Sequence, residues 1–393
     1  MLTARTRERV LFGVCVVIGV TLRALSATRG WNFDTEMLFQ IAALPAGANF
    51  YREFVIWANW GPIAYNVFQL FQTLPDGTRI ETFHSYLAAF FTTCDVVSSI
   101  VLWRLWGLRA AAWFLLFSPI AIVVSGFHCN AEPAIVALVL VGYYIHARGG
   151  QDAGRIHPAF LVCLGLSLAF KHAFVLFPIW LALRSTSWRQ RALTVAVPYG
   201  VWVGFALYYL IPTPTYFVTN VLGYGGWSGN AMVPMAIEWV AVSLKIAGTD
   251  LPKAWLPLFL LAMFAIGWRI RRWPLEQGLL LYPLALLVTT SAVARQYFDL
   301  ASFSIAANLD RVGIVFNLFA AYFYGGDPAE LNLWSLPAWL KDSWLPRSSP
   351  TNIGWLISQA MLAVLLARRL SRWSKTSDRR AEVTTETVGV GDS

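Results

Sequence analysis

Two carboxylates one residue apart, Asp34 and Glu36 in Trp31-Asn32-Phe33-Asp34-Thr35-Glu36, follow directly on a first apolar stretch. Charged side chains placed where hydrocarbon meets water are costly unless they bind something or move a proton. A carboxylate at the edge of a water-accessible pocket can act as general base for an attacking hydroxyl, and partial burial raises its pKa toward working pH. The neighbouring carboxylate would then hold a substrate hydroxyl or a divalent metal ion. The competing reading is structural: Asp34 caps an outer helix over 35–44, and Glu36 sits in its favourable first turn.

Three further groups have the types such chemistry needs. His128, Asn130 and Glu132 crowd the turn Ser125-Gly126-Phe127-His128-Cys129-Asn130-Ala131-Glu132-Pro133. They could bind hydroxyls or a phosphate, or Asn130 could simply cap the helix beginning near Pro133. Lys171-His172 and Arg295-Gln296-Tyr297 supply cationic and donor groups near a membrane boundary. Developing negative charge on a phosphate leaving group needs such groups, and Arg suits phosphate bidentately. Against that, Lys171 could snorkel to the interface and Arg295 could be an end-of-span residue. Asp95 and Asp299 read as structural, paired to polar neighbours, and Glu53 is a reserve carboxylate. Tyr51, Trp57, Trp60 and Tyr65 read mainly as interface anchors.

The elements that must position these groups are membrane helices. Hydrophobic residues make up 57% of the chain and charged residues 13%, with 19 Trp, and the mean hydropathy is +0.56. Soluble domains carry about twice that share of charge. The 393 residues accommodate about ten to twelve transmembrane or half-membrane helices. Apolar runs and breakers place them over 10–27, 84–103, 111–125, 131–145, 158–170, 172–183, 192–211, 254–268, 275–292, 297–309, 312–325 and 352–367. With both termini cytoplasmic, 20 of the 30 Lys and Arg fall on the inner loops and tail, as the positive-inside rule requires. The polar clusters all fall on the outer face.

Three segments depart from ordinary spans. Residues 61–74 are too few to cross, and Asn66, Gln69 and Gln72 share one face, so an interfacial helix is expected there. Residues 236–247 read similarly. The 158–183 region is two half-length runs meeting at Lys171-His172, a shallow hairpin that walls a cavity. The multispan domain covers 1–372 with a long first outer loop over 28–83, and the polar tail 373–393 reads as disordered. The first span lacks a small-residue cleavage site and reads as uncleaved. The net charge of +9 raises nucleic acid as a partner, but the basic residues cluster at span ends without a stripe. Cys15, Cys94, Cys129 and Cys163 show neither zinc spacing nor a disulfide framework.

On these residues the chain resembles the GT-C glycosyltransferases, and within them the first mannosyltransferase of GPI-anchor assembly and its relatives. Phe33-Asp34-Thr35-Glu36, with Gly61-Pro62 beyond it, is similar to the family's acidic first-loop motif and following proline. Phe91-Thr92-Thr93-Cys94-Asp95-Val96-Val97, running to Leu102-Trp103-Arg104-Leu105, looks like its second span. The 125–132 turn resembles its Gly/Asn/acid turn, with Cys129 and Glu132 where Gly and Asp are usual. Ala294-Arg295-Gln296-Tyr297-Phe298 is similar to its late Gln-Tyr-Phe motif.

The resemblance implies an all-α, polytopic fold and an inverting transfer of a sugar, mannose in that group. The donor would be a polyprenyl or dolichyl phosphate and the acceptor lipid-linked, on the lumenal or periplasmic face. It implies Asp34 as base, Glu36 steadying the acceptor or a Mn or Mg ion, and Arg295, Tyr297, Lys171 and His128 at the departing lipid phosphate. Membrane lipids and an accessory membrane subunit are the partners it allows. A transporter or flippase for a lipid-linked or small polar substrate, and a non-catalytic accessory subunit, remain the alternatives. In a cysteine-free background, single cysteines at positions 34 and 295 are expected to react with an impermeant maleimide from the same side of the membrane. Labelling from opposite sides would separate the carboxylates from the late motif.

Overall fold

The computed structural model describes residues 3–45, 47–54, 59–149, 155–212, 214–222, 251–290, 294–326, 331–337 and 352–388. All regular structure among them is helical. The first helix, α1 (Ala4–Ala27), starts at Thr3, whose hydroxyl accepts the Thr6 N–H. Its flank carries Val10, Leu11, Val14, Val17 and Ile18 exposed, an apolar stripe suited to lipid and not to water. The first outer loop folds into three short helices: α2 (Phe33–Ala42), α3 (Phe50–Glu53) and α4 (Pro62–Thr73). The long α5 (Ile80–Trp106) follows, then α6 (Leu108–Leu116) and α7 (Pro119–Val123).

A wide π-type turn, Val124–His128, leads to α8 (Glu132–Arg148). Beyond it lie α9 (Pro158–Phe170), a 3-10 turn (His172–Phe174), α10 (Phe177–Arg184), α11 (Trp188–Leu210) and the short α12 (Pro214–Phe217). The chain closes with α13 (Leu251–Arg269), α14 (Leu275–Thr289), a 3-10 turn (Arg295–Phe298), α15 (Asp299–Ala307), α16 (Arg311–Gly326) and α17 (Asn352–Val388). Helix α8 packs on α9 and α5, α9 on α11, and α1 on α6 and α5. Phe83, Phe91, Phe114, Phe160 and Phe174 fill the space between them, all fully buried.

By length and composition α1, α5 and α11 can cross a membrane, and so can the pair 108–116 and 119–128 taken as one span bent by 54°. The single segment expected over 111–125 is therefore two pieces, because Pro119 cannot donate to the preceding turn and disfavours a helical Ser118. The break expected at Lys171-His172 is present: Lys171 is extended, with φ −161° and ψ 135°. The segment expected over 297–309 is a 3-10 turn followed by the nine-residue α15. The 236–247 helix lies outside the described residues.

Two expectations change. The polar face of 61–74 does not rest on water alone. Gln69 Nε2 donates to the Leu44 carbonyl at 3.2 Å and Gln72 Nε2 to the Phe39 carbonyl at 2.9 Å. These amides reach the Phe39 carbonyl near the end of α2 and the Leu44 carbonyl just beyond it, while Asn66 stays exposed. The tail, expected to be disordered after Trp373, continues α17 as helix to Val388, and no Pro or Gly interrupts it before Gly389. Side chains beyond Ser374 lie outside the description.

Two of the charges left inside the spans, Arg23 and Asp95, pair with each other. Arg23 Nε donates to Asp95 Oδ2 at 2.7 Å and to Ser125 Oγ at 3.0 Å. Its Nη1 donates to the carbonyls of Gly19 and Leu115 at 3.1 and 2.9 Å. Both members of the ion pair are fully buried. The contact ties α1 and α5 to the 124–128 turn. Gly126 makes that approach possible, since a Cβ there would meet the Arg23 carbonyl oxygen at 2.5 Å. Arg23→Met strands the Asp95 carboxylate and is expected to cost about 3–5 kcal/mol. Thermal unfolding in detergent checks this, and the double variant Arg23→Met/Asp95→Leu is expected to be the more stable of the two.

Candidate active site

Asp34 sits in the first turn of α2, behind Asn32, whose side-chain oxygen accepts the Thr35 N–H at 3.3 Å. The structural reading is right about the helix and about two acids in its favourable first turn, but not about Asp34 as the cap. The cap is Asn32, which leaves the Asp34 carboxylate free to reach away from its own helix. Its Oδ2 accepts three hydrogen bonds from distant segments. His128 Nε2 and Asn130 Nδ2 each lie at 2.8 Å, and Gln296 Nε2 lies at 3.2 Å. The Asp34 side chain is 25% exposed, against 5% for His128, so the carboxylate forms the outer edge of a buried polar cluster.

Asn130 is the hub behind it. Its Oδ1 accepts Trp60 Nε1 at 3.0 Å, Lys171 Nζ at 3.2 Å and the Ala131 N–H at 2.7 Å. Lys171 Nζ also donates to Glu132 Oε1 at 2.5 Å and lies 4.4 Å from the centre of the Tyr297 ring, close enough for a cation–π contact. Asn59 Nδ2 donates to the Tyr297 hydroxyl at 3.3 Å. Thr35 Oγ1 donates to the His128 carbonyl at 3.3 Å, fastening α2 to the turn.

The local folds that deliver these groups follow from a few residues. Lys171 ends α9 because its extended backbone breaks the ladder, and the Phe170 carbonyl so released accepts the Gly61 N–H at 2.8 Å. Gly61 has no alternative there: a Cβ would lie 2.1 Å from the Ala169 carbonyl oxygen. That docking, with Tyr51 Oη donating to the Trp60 carbonyl at 2.7 Å, sets Trp60 against Asn130. Cys129 turns the chain between His128 and Asn130 with φ +52°, a left-handed conformation that favours glycine and strains a side-chain-bearing residue.

The electrostatics run opposite to the sequence expectation of a raised pKa. Burial alone would push the Asp34 carboxyl up. The hydrogen bond and electrostatic pull of His128, the charge of Lys171 and the Asn130 amide outweigh it and hold the pKa below its ordinary value. Asp34 is thus a carboxylate near neutral pH, a weak base and a strong hydrogen-bond acceptor.

Of the other expected site residues, Glu36 does not join Asp34. Both lie on α2, where side chains two apart diverge by about 200°, and Glu36 is exposed. His172 is half-buried and its ring stands outside the hydrogen-bonded cluster. The Arg295 side chain lies outside the described residues. Lys171, Asn130 and Glu132 are 3%, 0% and 0% exposed, too deep to touch a substrate directly. A divalent ion held by Asp34 and Glu36 does not fit this arrangement, because N–H donors already converge on Asp34 Oδ2 and the carboxylates diverge. Among the described residues no three His, Cys, Asp or Glu side chains gather to hold a metal.

Asn59, Trp60 and Thr35 were not singled out as cluster residues from sequence. The one available signal was the position of Asn59 and Trp60 immediately before the Gly61-Pro62 turn.

No family model matches the chain, and no curated protein matches it. Among solved structures it is similar to ArnT from Cupriavidus metallidurans. The apo form aligns with a TM-score of 0.49 and 15% identity, over 94% of this chain and 78% of that one. The form bound to undecaprenyl phosphate aligns with a TM-score of 0.46 and 12% identity, over 91% and 77%. Likeness at this level leaves function to be argued from the chain's own residues.

Because the folded pKa of Asp34 is depressed, its contribution to stability is present above the unfolded value of 3.8 and is lost as pH falls through the lower folded value. The stability difference between wild type and Asp34→Asn is therefore expected to be constant near neutrality and to shrink in acid. Denaturation of both proteins across pH 7 to 3 measures it. A difference that widens with acid would mean the carboxyl is protonated in the fold.

Proposed function

We propose that the chain is an inverting glycosyltransferase that moves a sugar from a polyprenyl- or dolichyl-phosphate donor to a lipid-linked acceptor on the extracytoplasmic face of a membrane. Mannose is the sugar suggested by the motif resemblance. The observation that carries the proposal is the one-quarter-exposed edge of Asp34, an ionised carboxylate fixed by three donors at the mouth of a buried polar cluster. An attacking hydroxyl becomes strongly acidic as its oxygen bonds to the anomeric carbon, so a carboxylate of low pKa can take the proton late in the step. The same fixed negative charge favours the positive character that develops on the sugar ring.

One attack on the face opposite the leaving phosphate inverts the anomeric centre. The hydroxyl proton passes to Asp34, and the bonding pair of the broken C–O bond leaves with the lipid phosphate. We assign Arg295 to that phosphate, since it adjoins Gln296, which already contacts Asp34, and since its fork matches phosphate oxygens. The half-buried Tyr297 is assigned to the donor as well. No divalent ion is assigned to Asp34 and Glu36, for the geometric reason given above.

The broken helices at 117–118 and at Lys171 also suit a transporter of a lipid-linked substrate. That reading leaves Asp34 without a proton to accept. With purified single chain in proteoliposomes and a radiolabelled lipid-phosphate sugar, Asp34→Asn is expected to lose transfer by about a hundredfold or more with the fold retained. Wild-type-like turnover in that variant removes Asp34 from the mechanism, and counterflow without covalent product favours transport.

A further inference from the structure

We infer that Lys171 and Glu132 are a positioning pair that fixes the direction of Asp34 through the carboxamide of Asn130, and are not a clamp for the donor's phosphate. The inference rests on the transferase reading for its kinetic test but on geometry for its argument. Lys171 is 3% exposed and its ammonium is already committed to Glu132 Oε1, Asn130 Oδ1 and the Tyr297 ring. An ammonium has three hydrogens, and three partners here surround it. A phosphate would have to displace Glu132, stranding a carboxylate that is fully buried, which is far costlier than leaving the pair intact.

The pair acts on Asn130. A carboxamide has a donor end and an acceptor end of nearly the same shape, and only its partners decide which way it points. Three donors, from Lys171, Trp60 and the Ala131 backbone, meet Oδ1, so Nδ2 must face Asp34. Reversal would set an oxygen against the Asp34 carboxylate and an NH2 against those three donors. Removing either charge alone upsets this. Without Lys171, the stranded Glu132 carboxylate competes with Asp34 for the Asn130 amide. Without the Glu132 charge, the ammonium is drawn to Asp34, whose field it already reaches. Removing both charges leaves Trp60 and the Ala131 backbone to hold Oδ1.

The test uses full-length protein in proteoliposomes with a radiolabelled polyprenyl-phosphate sugar. Lys171→Met and Glu132→Gln are each expected to lower kcat by about a hundredfold with the donor KM within about twofold. The double variant Lys171→Met/Glu132→Gln is expected to recover at least tenfold of that loss, as coupled neighbours do. A Lys171→Met variant that raises the donor KM while keeping kcat, with Glu132→Gln active, overturns the inference and leaves the transferase reading standing. Absence of product with wild type sinks the transferase reading instead. Crystal structures of the single variants then read the inference without turnover. Asp34 displaced from Asn130 in both is expected, and an undisturbed Asp34–Asn130 contact in either overturns it.

Discussion

A carboxylate drawn partly out of water must be given donors, and in this chain three of them come from two places far from it in sequence. His128 and Asn130 lie on the turn after α7, and Gln296 lies in the 3-10 turn before α15; all three meet one oxygen of Asp34. Each donor requires its own segment to be irregular at the membrane boundary. Irregular backbone at that depth survives only when protein or water covers its polar groups. The break at Lys171 is covered by Gly61, whose N–H takes the Phe170 carbonyl. The turn at 124–128 is covered by Arg23, which reaches across to Ser125.

The cost of this arrangement is borne by buried ion pairs. Arg23–Asp95 and Lys171–Glu132 are both sealed from solvent, where apolar substitutes would serve stability equally well. Their retention makes sense as orientation: Arg23 fixes where the turn sits, and Lys171 fixes which way Asn130 points. A wholly apolar contact at either place would give burial without direction.

The sequence made two of the breaks legible. Gly61-Pro62 and the polar pair Lys171-His172 interrupt apolar runs and the chain turns or stops at each, whereas the break at Pro119 was passed over inside the 111–125 run. The gathering of first loop, turn and late motif was legible as shared sidedness. What one dimension concealed was direction. Asp-x-Glu reads as a dyad until α2 winds both residues into one helix and sends their side chains apart. Glu132 and Lys171 stand 39 residues apart, and no local spacing announces that one neutralises the other. Gln69 and Gln72 looked like a wet face because amides on a helix usually are; here they bond backbone carbonyls at and just past the end of α2. The lowered pKa of Asp34 was equally hidden, since burial was foreseeable and the identity of the donors was not.

Those two glutamines have a mechanical consequence. By bonding the far end of α2 they couple it to α4, so the Asp34 carboxylate sits at the tip of a lever about 15 Å long. A tilt of about four degrees at the glutamine end moves that tip by about 1 Å, enough to spoil an attack geometry. A displacement of α4 would therefore reach Asp34 through α2 without touching it.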